Sequence, residues 1–154
     1  MEAAPNLPKP GSSFDIIKNK KIGYNNSIEV TSPQLKEIFH YSREFITHVD
    51  YKLLSVKLNI PYSGIDNKEK RSRLILYLDD EAICDGSMYN TSWELRPFQL
   101  EGICVNVKAG NHKVKLMGCV EQGANLYIPA LGLDCVENTI KPEIFGKLII
   151  IGQN

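Results

Sequence analysis

The chain has 154 residues, with 18 Lys and Arg against 18 Asp and Glu, so its formal net charge is zero. Hydrophobic residues make up 43% and charged residues 23%, as in folded globular proteins and unlike disordered or fibrous chains. This length suits one domain with a sizeable core, and the neutral charge argues against nucleic-acid binding, which usually requires a basic excess.

The first 13 residues, rich in Pro, Gly and Ser, are predicted to form a flexible arm ahead of a single domain over residues 14–154. The start of the chain, Met1 to Asn6, lacks the basic and apolar segments of a secretory signal. If the chain is complete, this favours a cytoplasmic or intracellular location. No apolar run approaches the about 18 residues of a membrane span, so no span is expected.

The next feature is a candidate helix start at Ser32-Pro33-Gln34-Leu35, where an N-cap residue is followed by Pro at the first helical position. This pattern predicts a short helix from about Pro33 to His40. An extended strand over the same residues is the competing prediction.

From about residue 42 onward, apolar residues recur at every second position, which is typical of half-buried strands. Leu54, Val56, Leu58 and Ile60 are predicted to share one face of the first such strand. Ile103, Val105 and Val107 are predicted to share a face opposite Cys104, Asn106 and Lys108. The same period of two recurs at Leu74–Leu78, His112–Leu116 and Leu126–Ile128. The continuous apolar run Leu148–Ile151 predicts a more fully buried strand.

Turn signals containing Gly, Asn or Asp separate these segments, for example Asp79-Asp80 and Ala109-Gly110-Asn111. Many short strands with frequent turns predict an all-β, antiparallel sandwich or barrel. Strands do not alternate with helical patterns, so a doubly wound parallel sheet is disfavoured.

Catalytic and metal-binding motifs are missing from the sequence. It contains no Gly-x-Ser-x-Gly motif and no phosphate-binding Gly-x-x-x-x-Gly-Lys loop, and no cofactor is predicted. The cysteines form no CxxC pair, so a structural zinc site is not expected. The four cysteines are Cys84, Cys104, Cys119 and Cys135. In a reducing compartment they are expected to be free thiols, and a disulfide in an oxidising compartment is the alternative.

An acidic turn contains Asp79, Asp80 and Asp85. Calcium prefers such oxygen ligands, but the spacing of an EF-hand is missing. A solvated hairpin turn is therefore the preferred interpretation, with calcium as the alternative.

The segment Met88–Phe98 contains the only Trp of the chain. Its aromatic and polar side chains suit sugar stacking, a subunit interface or simple core packing. The candidate ligand or interface residues are Tyr89, Asn90, Trp93 and Arg96.

The segment Lys108–Leu116 contains an Ala-Gly-x-His-x-Val-x-Leu pattern. It resembles a late β-hairpin in jelly-roll domains of the tumour necrosis factor and complement globular-head type, and Leu74–Gly86 resembles an earlier strand–turn–strand of that family. The resemblance covers roughly residues 40 to 152. It implies an antiparallel jelly-roll β-sandwich, commonly a homotrimer, that works by binding and assembly and carries no catalytic residues.

The preferred functional hypothesis is a non-enzymatic structural or interaction module that self-associates, as a homotrimer, within a larger assembly of proteins. Its candidate subunit-interface residues are Tyr77, Phe98 and Tyr127. One alternative is a lectin-like carbohydrate-binding module using the residues around Trp93. A second is an enzyme with an unrecognised site, for which Cys104 and His112 are the candidate pair because they flank the Ala109-Gly110 turn.

Overall fold

The computed structural model describes residues 14–24, 28–65, 70–90, 96–128 and 144–154, so the predicted arm over residues 1–13 lies outside it. The described residues form eleven strands and one 3-10 turn, Phe39–Tyr41. In chain order the strands are β1 Phe14–Tyr24, β2 Ile28–Val30, β3 Lys36–Glu37, β4 Arg43–Thr47, β5 Tyr51–Ile65, β6 Lys70–Leu78, β7 Glu81–Asn90, β8 Arg96–Val107, β9 Gly110–Val120, β10 Leu126–Ile128 and β11 Ile144–Gln153.

Two antiparallel sheets contain all of these strands. The first sheet has six strands, in which β1, β11, β5 and β8 lie side by side in that order and the short β10 and β2 continue from β5. The second sheet has five strands, in which β4, β9, β6 and β7 lie side by side and the short β3 also pairs with β9.

Eight strands remain when the short β2, β3 and β10 are set aside, and the order of these eight long strands defines a jelly roll. The chain crosses from one sheet to the other at every connection between consecutive long strands except the β6–β7 hairpin. The last long strand, β11, therefore lies between the first and third, β1 and β5, and the other sheet interleaves its strands in the same way. The predicted all-β, antiparallel jelly-roll sandwich is confirmed.

The core fills the space between the two sheets, and the period-two pattern explains its composition. The predicted face of β5, Leu54 to Ile60, is buried, as are Leu148 and Ile150 of β11. The opposing sheet contributes the alternate residues of β6 and β9, namely Leu74, Leu76, Leu78, Val114 and Leu116. Fully burying each such side chain stabilises the fold by about 1.5–3 kcal/mol.

The predicted helix from Pro33 to His40 does not form. Gln34 N–H does donate to the Ser32 hydroxyl (3.0 Å), but this bond closes a local turn. The chain then pairs with β9 through β3, and the buried Ile38 donates its N–H to the carbonyl of Leu116 (2.7 Å). Sheet pairing and burial of Ile38 therefore override the helix-start signal, and the extended alternative was nearer to the structure.

The predicted grouping of side chains on β8 is also wrong. Ile103 and Val105 are exposed, whereas Val107 and Cys104 are buried. Gly102 is also buried, and a side chain does not fit there because its Cβ would lie 2.8 Å from Ile83 Cγ1 of β7. Asn106, whose φ is +54°, then interrupts the strand's alternation, so that Val107 turns inward.

Gly146 of β11 provides a test of the sheet packing. A Cβ at this position would lie 2.2 Å from the carbonyl oxygen of Asn59, a backbone atom of β5. We expect Gly146→Ala to lower the free energy of unfolding by about 1–3 kcal/mol in denaturant titrations. Lys147→Ala, at the exposed neighbouring position, is the control. Equal stability of the two variants would contradict this packing.

Candidate functional site

The three residues predicted for a subunit interface lie in three separate places. Tyr77 is half-buried on β6, with Lys115 Nζ 5.7 Å from the centre of its ring. Phe98 of β8 is half-buried and packs against the core. Tyr127 of β10 donates its hydroxyl proton to Glu29 (2.9 Å). The structure does not bring them together, and their role at an interface stays a prediction.

The four candidate ligand residues lie along the chain from the end of β7 to the start of β8. Trp93 lies outside the described residues, and so do the side chains of Tyr89, Asn90 and Arg96. The carbohydrate-binding alternative stays a prediction.

The three acidic residues proposed for calcium point to three different cationic partners. Asp79 contacts His112 (2.9 Å), and Asp80 contacts Lys115 (3.4 Å). Asp85 accepts hydrogen bonds from Arg73, whose guanidinium lowers the pKa of this carboxyl. Among the residues that the structure describes, no three His, Cys, Asp or Glu side chains are placed to hold a metal ion.

His112, the histidine of the hairpin pattern, bridges two turns at one end of the sandwich. Its Nδ1 lies 2.9 Å from Asp79 Oδ2, and its Nε2 lies 2.7 Å from the carbonyl oxygen of Lys108. Both partners are acceptors, so only the doubly protonated ring donates to both. Partial burial opposes the charge, but the bonds to Asp79 and Lys108 together with the charge of Asp79 outweigh it, and the pKa of His112 lies above its ordinary value.

The β8–β9 turn next to His112 is held by further polar contacts. The carbonyl of Lys108 also accepts a hydrogen bond from the Thr47 hydroxyl (3.2 Å). The N–H of Ala109 donates to Asp50 Oδ1 (2.8 Å), and the N–H of Gly110 donates to the Thr47 hydroxyl (3.2 Å). This end of the sandwich is therefore a network of turns joined by side chains.

Cys104 and His112 line the same shallow depression at this end, but they do not form a nucleophile and base. Burial raises the pKa of Cys104 to about 11, with smaller contributions from Glu81 and Asp79. Both ring nitrogens of His112 are already engaged by Asp79 and Lys108. A thiol with this pKa stays protonated near neutral pH and is a poor nucleophile.

The outer face of the first sheet, which points away from the core, carries several exposed aliphatic side chains, with the polar Gln153 and Ser55 among them. Residues paired across antiparallel strands share a face, so the register places these side chains in two adjacent rows. The exposed fractions are 63% for Ile16, 41% for Leu53, 65% for Ile103 and 64% for Val105. We call the two rows together the apolar rows; they consist of Phe14, Gln153, Leu53 and Val105, and of Ile16, Ile151, Ser55 and Ile103.

Farther along the same face the side chains become polar. The next row contains Lys57 opposite Glu101, together with Asn19 and the half-buried Ile149, and the row after it places Lys21 opposite Lys147. The edge strand β1 also carries Lys18 and Lys20, which the register with Ile150 and Leu148 places on its other face. Lysines on an edge strand oppose the addition of another strand, so the β1 edge of the sheet is protected.

The bonds of His112 predict a pH-dependent stability. A histidine whose pKa is raised in the folded state contributes stability that is fully present below its unfolded pKa and is lost as pH rises through the folded value. We expect the stability advantage of the native chain over His112→Gln to shrink between about pH 6 and about pH 8.5, as measured by urea unfolding. A constant difference across this range would contradict the assignment.

The buried thiol of Cys104 predicts slow alkylation. In the folded chain at about pH 8, we expect iodoacetamide to modify Cys104 at least about tenfold more slowly than the half-buried Cys119, because the thiolate is the reactive form. Mass spectrometry of the peptides gives both rates, and unfolding in urea should equalise them. Fast alkylation of Cys104 that His112→Gln slows would instead support the enzyme alternative.

Comparison with known proteins gives structural matches at low sequence identity. No protein-family model and no curated protein sequence match the chain.

Among the described residues, no helix is both long and apolar enough to cross a membrane.

The solved structures similar to the chain include the following three. The CBM36-1 domain of a multidomain xylanase from the hindgut metagenome of Trinervitermes trinervoides is 12% identical, with a TM-score of 0.43, over 89% of this chain and 98% of that domain. Eiger TNF from S. frugiperda is 12% identical, with a TM-score of 0.40, over 91% and 94%. The infectious bursal disease virus VP2 subviral particle is 8% identical, with a TM-score of 0.38, over 91% and 37%. The fold assignment rests on the strand order of the chain itself, which is that of a jelly roll.

Proposed function

We propose that this chain is a non-enzymatic interaction module that self-associates through its apolar rows, as a homotrimer within a larger assembly. The observation that carries the proposal is the group of exposed aliphatic side chains on one sheet face, Ile16, Leu53, Ile103 and Val105. An exposed apolar group bordered by polar residues is typical of a protein–protein interface.

The charge distribution supports a second copy of the chain as the occupant. Equal numbers of basic and acidic residues leave little net repulsion between copies. The polar rows beside the apolar rows contain both signs, with Lys57 paired with Glu101 across β5 and β8. In a closed ring around a rotation axis, every copy contacts its neighbours in the same way. Such a ring would bury the apolar rows of each copy against the neighbouring copies.

The absence of an activated nucleophile at the one pair considered for catalysis supports a binding role. Cys104 is a buried, protonated thiol, and His112 is engaged on both ring nitrogens. The described turns at this end of the sandwich are joined by structural hydrogen bonds, as expected of a rigid support for an interface.

Replacing an exposed aliphatic residue of the apolar rows by lysine tests the proposal. We expect Ile103→Lys to weaken self-association by about tenfold or more, because a charge would have to be buried between copies. Light scattering should give a mass near 52 kDa, three times the 17.3 kDa of one chain, for the native protein. The variant should shift toward one chain at the same concentration.

The control is Ile46→Lys on β4, because Ile46 is 56% exposed but lies on the other sheet. It should leave the mass unchanged. A native chain that stays monomeric at high concentration would overturn the proposal. Equal weakening by both substitutions would show that the apolar rows are not the interface.

A further inference from the structure

The hydrogen bonds of His112 differ in how much they depend on the bound proton. Asp79 is tied to β9 independently of the ring, since its N–H donates to the carbonyl of Lys113 (2.7 Å) and its Oδ1 accepts the N–H of Lys113 (2.9 Å). A carboxylate is a stronger acceptor than a backbone carbonyl, so the neutral ring would keep its proton on Nδ1, facing Asp79. The proton that leaves is the one on Nε2, and the bond that is lost is the bond to Lys108.

The loss of that bond would act on the β8–β9 turn. Without the proton, the lone pair of Nε2 would face the carbonyl oxygen of Lys108 at 2.7 Å, an arrangement of two acceptors that repel. Lys108 is separated from the apolar rows by only two residues, Asn106 and Val107. Asn106 has a φ of +54°, a left-handed conformation that Asn adopts more readily than most residues with a side chain, so this link can change conformation when the turn is released.

Val105 connects this turn to the proposed interface. It lines the depression that also contains His112 and Lys108, and it is one of the most exposed members of the apolar rows. We propose that the Nε2 proton of His112 fixes the β8–β9 turn and thereby the position of Val105, so that self-association is stronger at acidic pH and weaker at alkaline pH. This inference rests on the proposed function.

The charged and titratable groups around His112 leave it as the one that responds near neutrality. The β6–β7 turn and the start of β7 supply the carboxylates of Asp79, Asp80 and Glu81, and β8 supplies the Cys104 thiol. The β8–β9 turn supplies Lys108, and β9 supplies Lys113, which is paired with Glu37. Strand β4 contributes the ring of Phe45, whose centre lies 5.5 Å from that of His112. The pKa of about 11 keeps the thiol protonated throughout the range of interest.

The experiment compares the native chain with His112→Gln and with His48→Gln. His48 is an exposed histidine that precedes β5 near the same end and serves as the matched control. Sedimentation velocity gives the dissociation constant of self-association at about pH 5.5 and about pH 8.5, a range in which ordinary carboxylates stay ionised. Hydrogen-exchange protection factors of the Ala109 and Gly110 amides report the turn separately.

We expect the dissociation constant of the native chain to rise by about fivefold or more between the two pH values, with a parallel loss of protection at both amides. His48→Gln should behave in the same way. His112→Gln should remove most of the pH dependence, because the glutamine amide does not titrate in this range.

An associating chain whose dissociation constant does not change with pH would overturn this inference alone. The same holds if the association changes with pH but the protection of Ala109 and Gly110 does not, or if His112→Gln retains the full pH dependence. A native chain that is monomeric at both pH values would overturn the proposed function and this inference with it.

Discussion

The structure depends on one constraint, the burial of one face of each sheet against the other. The alternate residues of β5 and β11 meet those of β6 and β9, and the core members of all four strands are buried. Strands such as β5 and β8 therefore have one face fixed by packing and one face left to interact with solvent or a partner. The outer face of the first sheet carries several aliphatic side chains that the core does not need.

The β8 strand shows how the two faces come to differ. Its inward positions, Leu100, Gly102 and Cys104, include small residues because β7 lies close above them. Its outward positions carry the larger Ile103 and Val105. Exposed aliphatic residues of this size, on the same sheet face as Leu53 and Ile16, contribute little to the fold of a single copy, which is why we assign them to association.

The polar end of the sandwich complements this apolar face. His112 and Asp79 join the β6–β7 turn to the β8–β9 turn, and Asp50 and Thr47 hold the latter from the β4–β5 connection. The first apolar row begins beside this network, at Val105 and Leu53. A charged histidine in the network would give the interface a rigid support at one end whose strength changes near neutral pH.

The sequence by itself determined most of the strands, the turns at Asp79 and Gly110, and an antiparallel sandwich or barrel, because a period of two and positive-φ turn residues are local properties. The jelly-roll expectation came from the resemblance of Lys108–Leu116 and Leu74–Gly86 to segments of a known family. It did not determine which face of β8 is buried, since alternation groups residues without saying which side meets the core. Nor did it find the apolar rows, because Ile16, Leu53 and Ile103 are far apart in the chain and only the strand register places them on one sheet face. The tertiary structure also decided against the helix near Pro33, where pairing with β9 outweighs a local helix signal, and it supplied the partners that make His112 a bridge between turns.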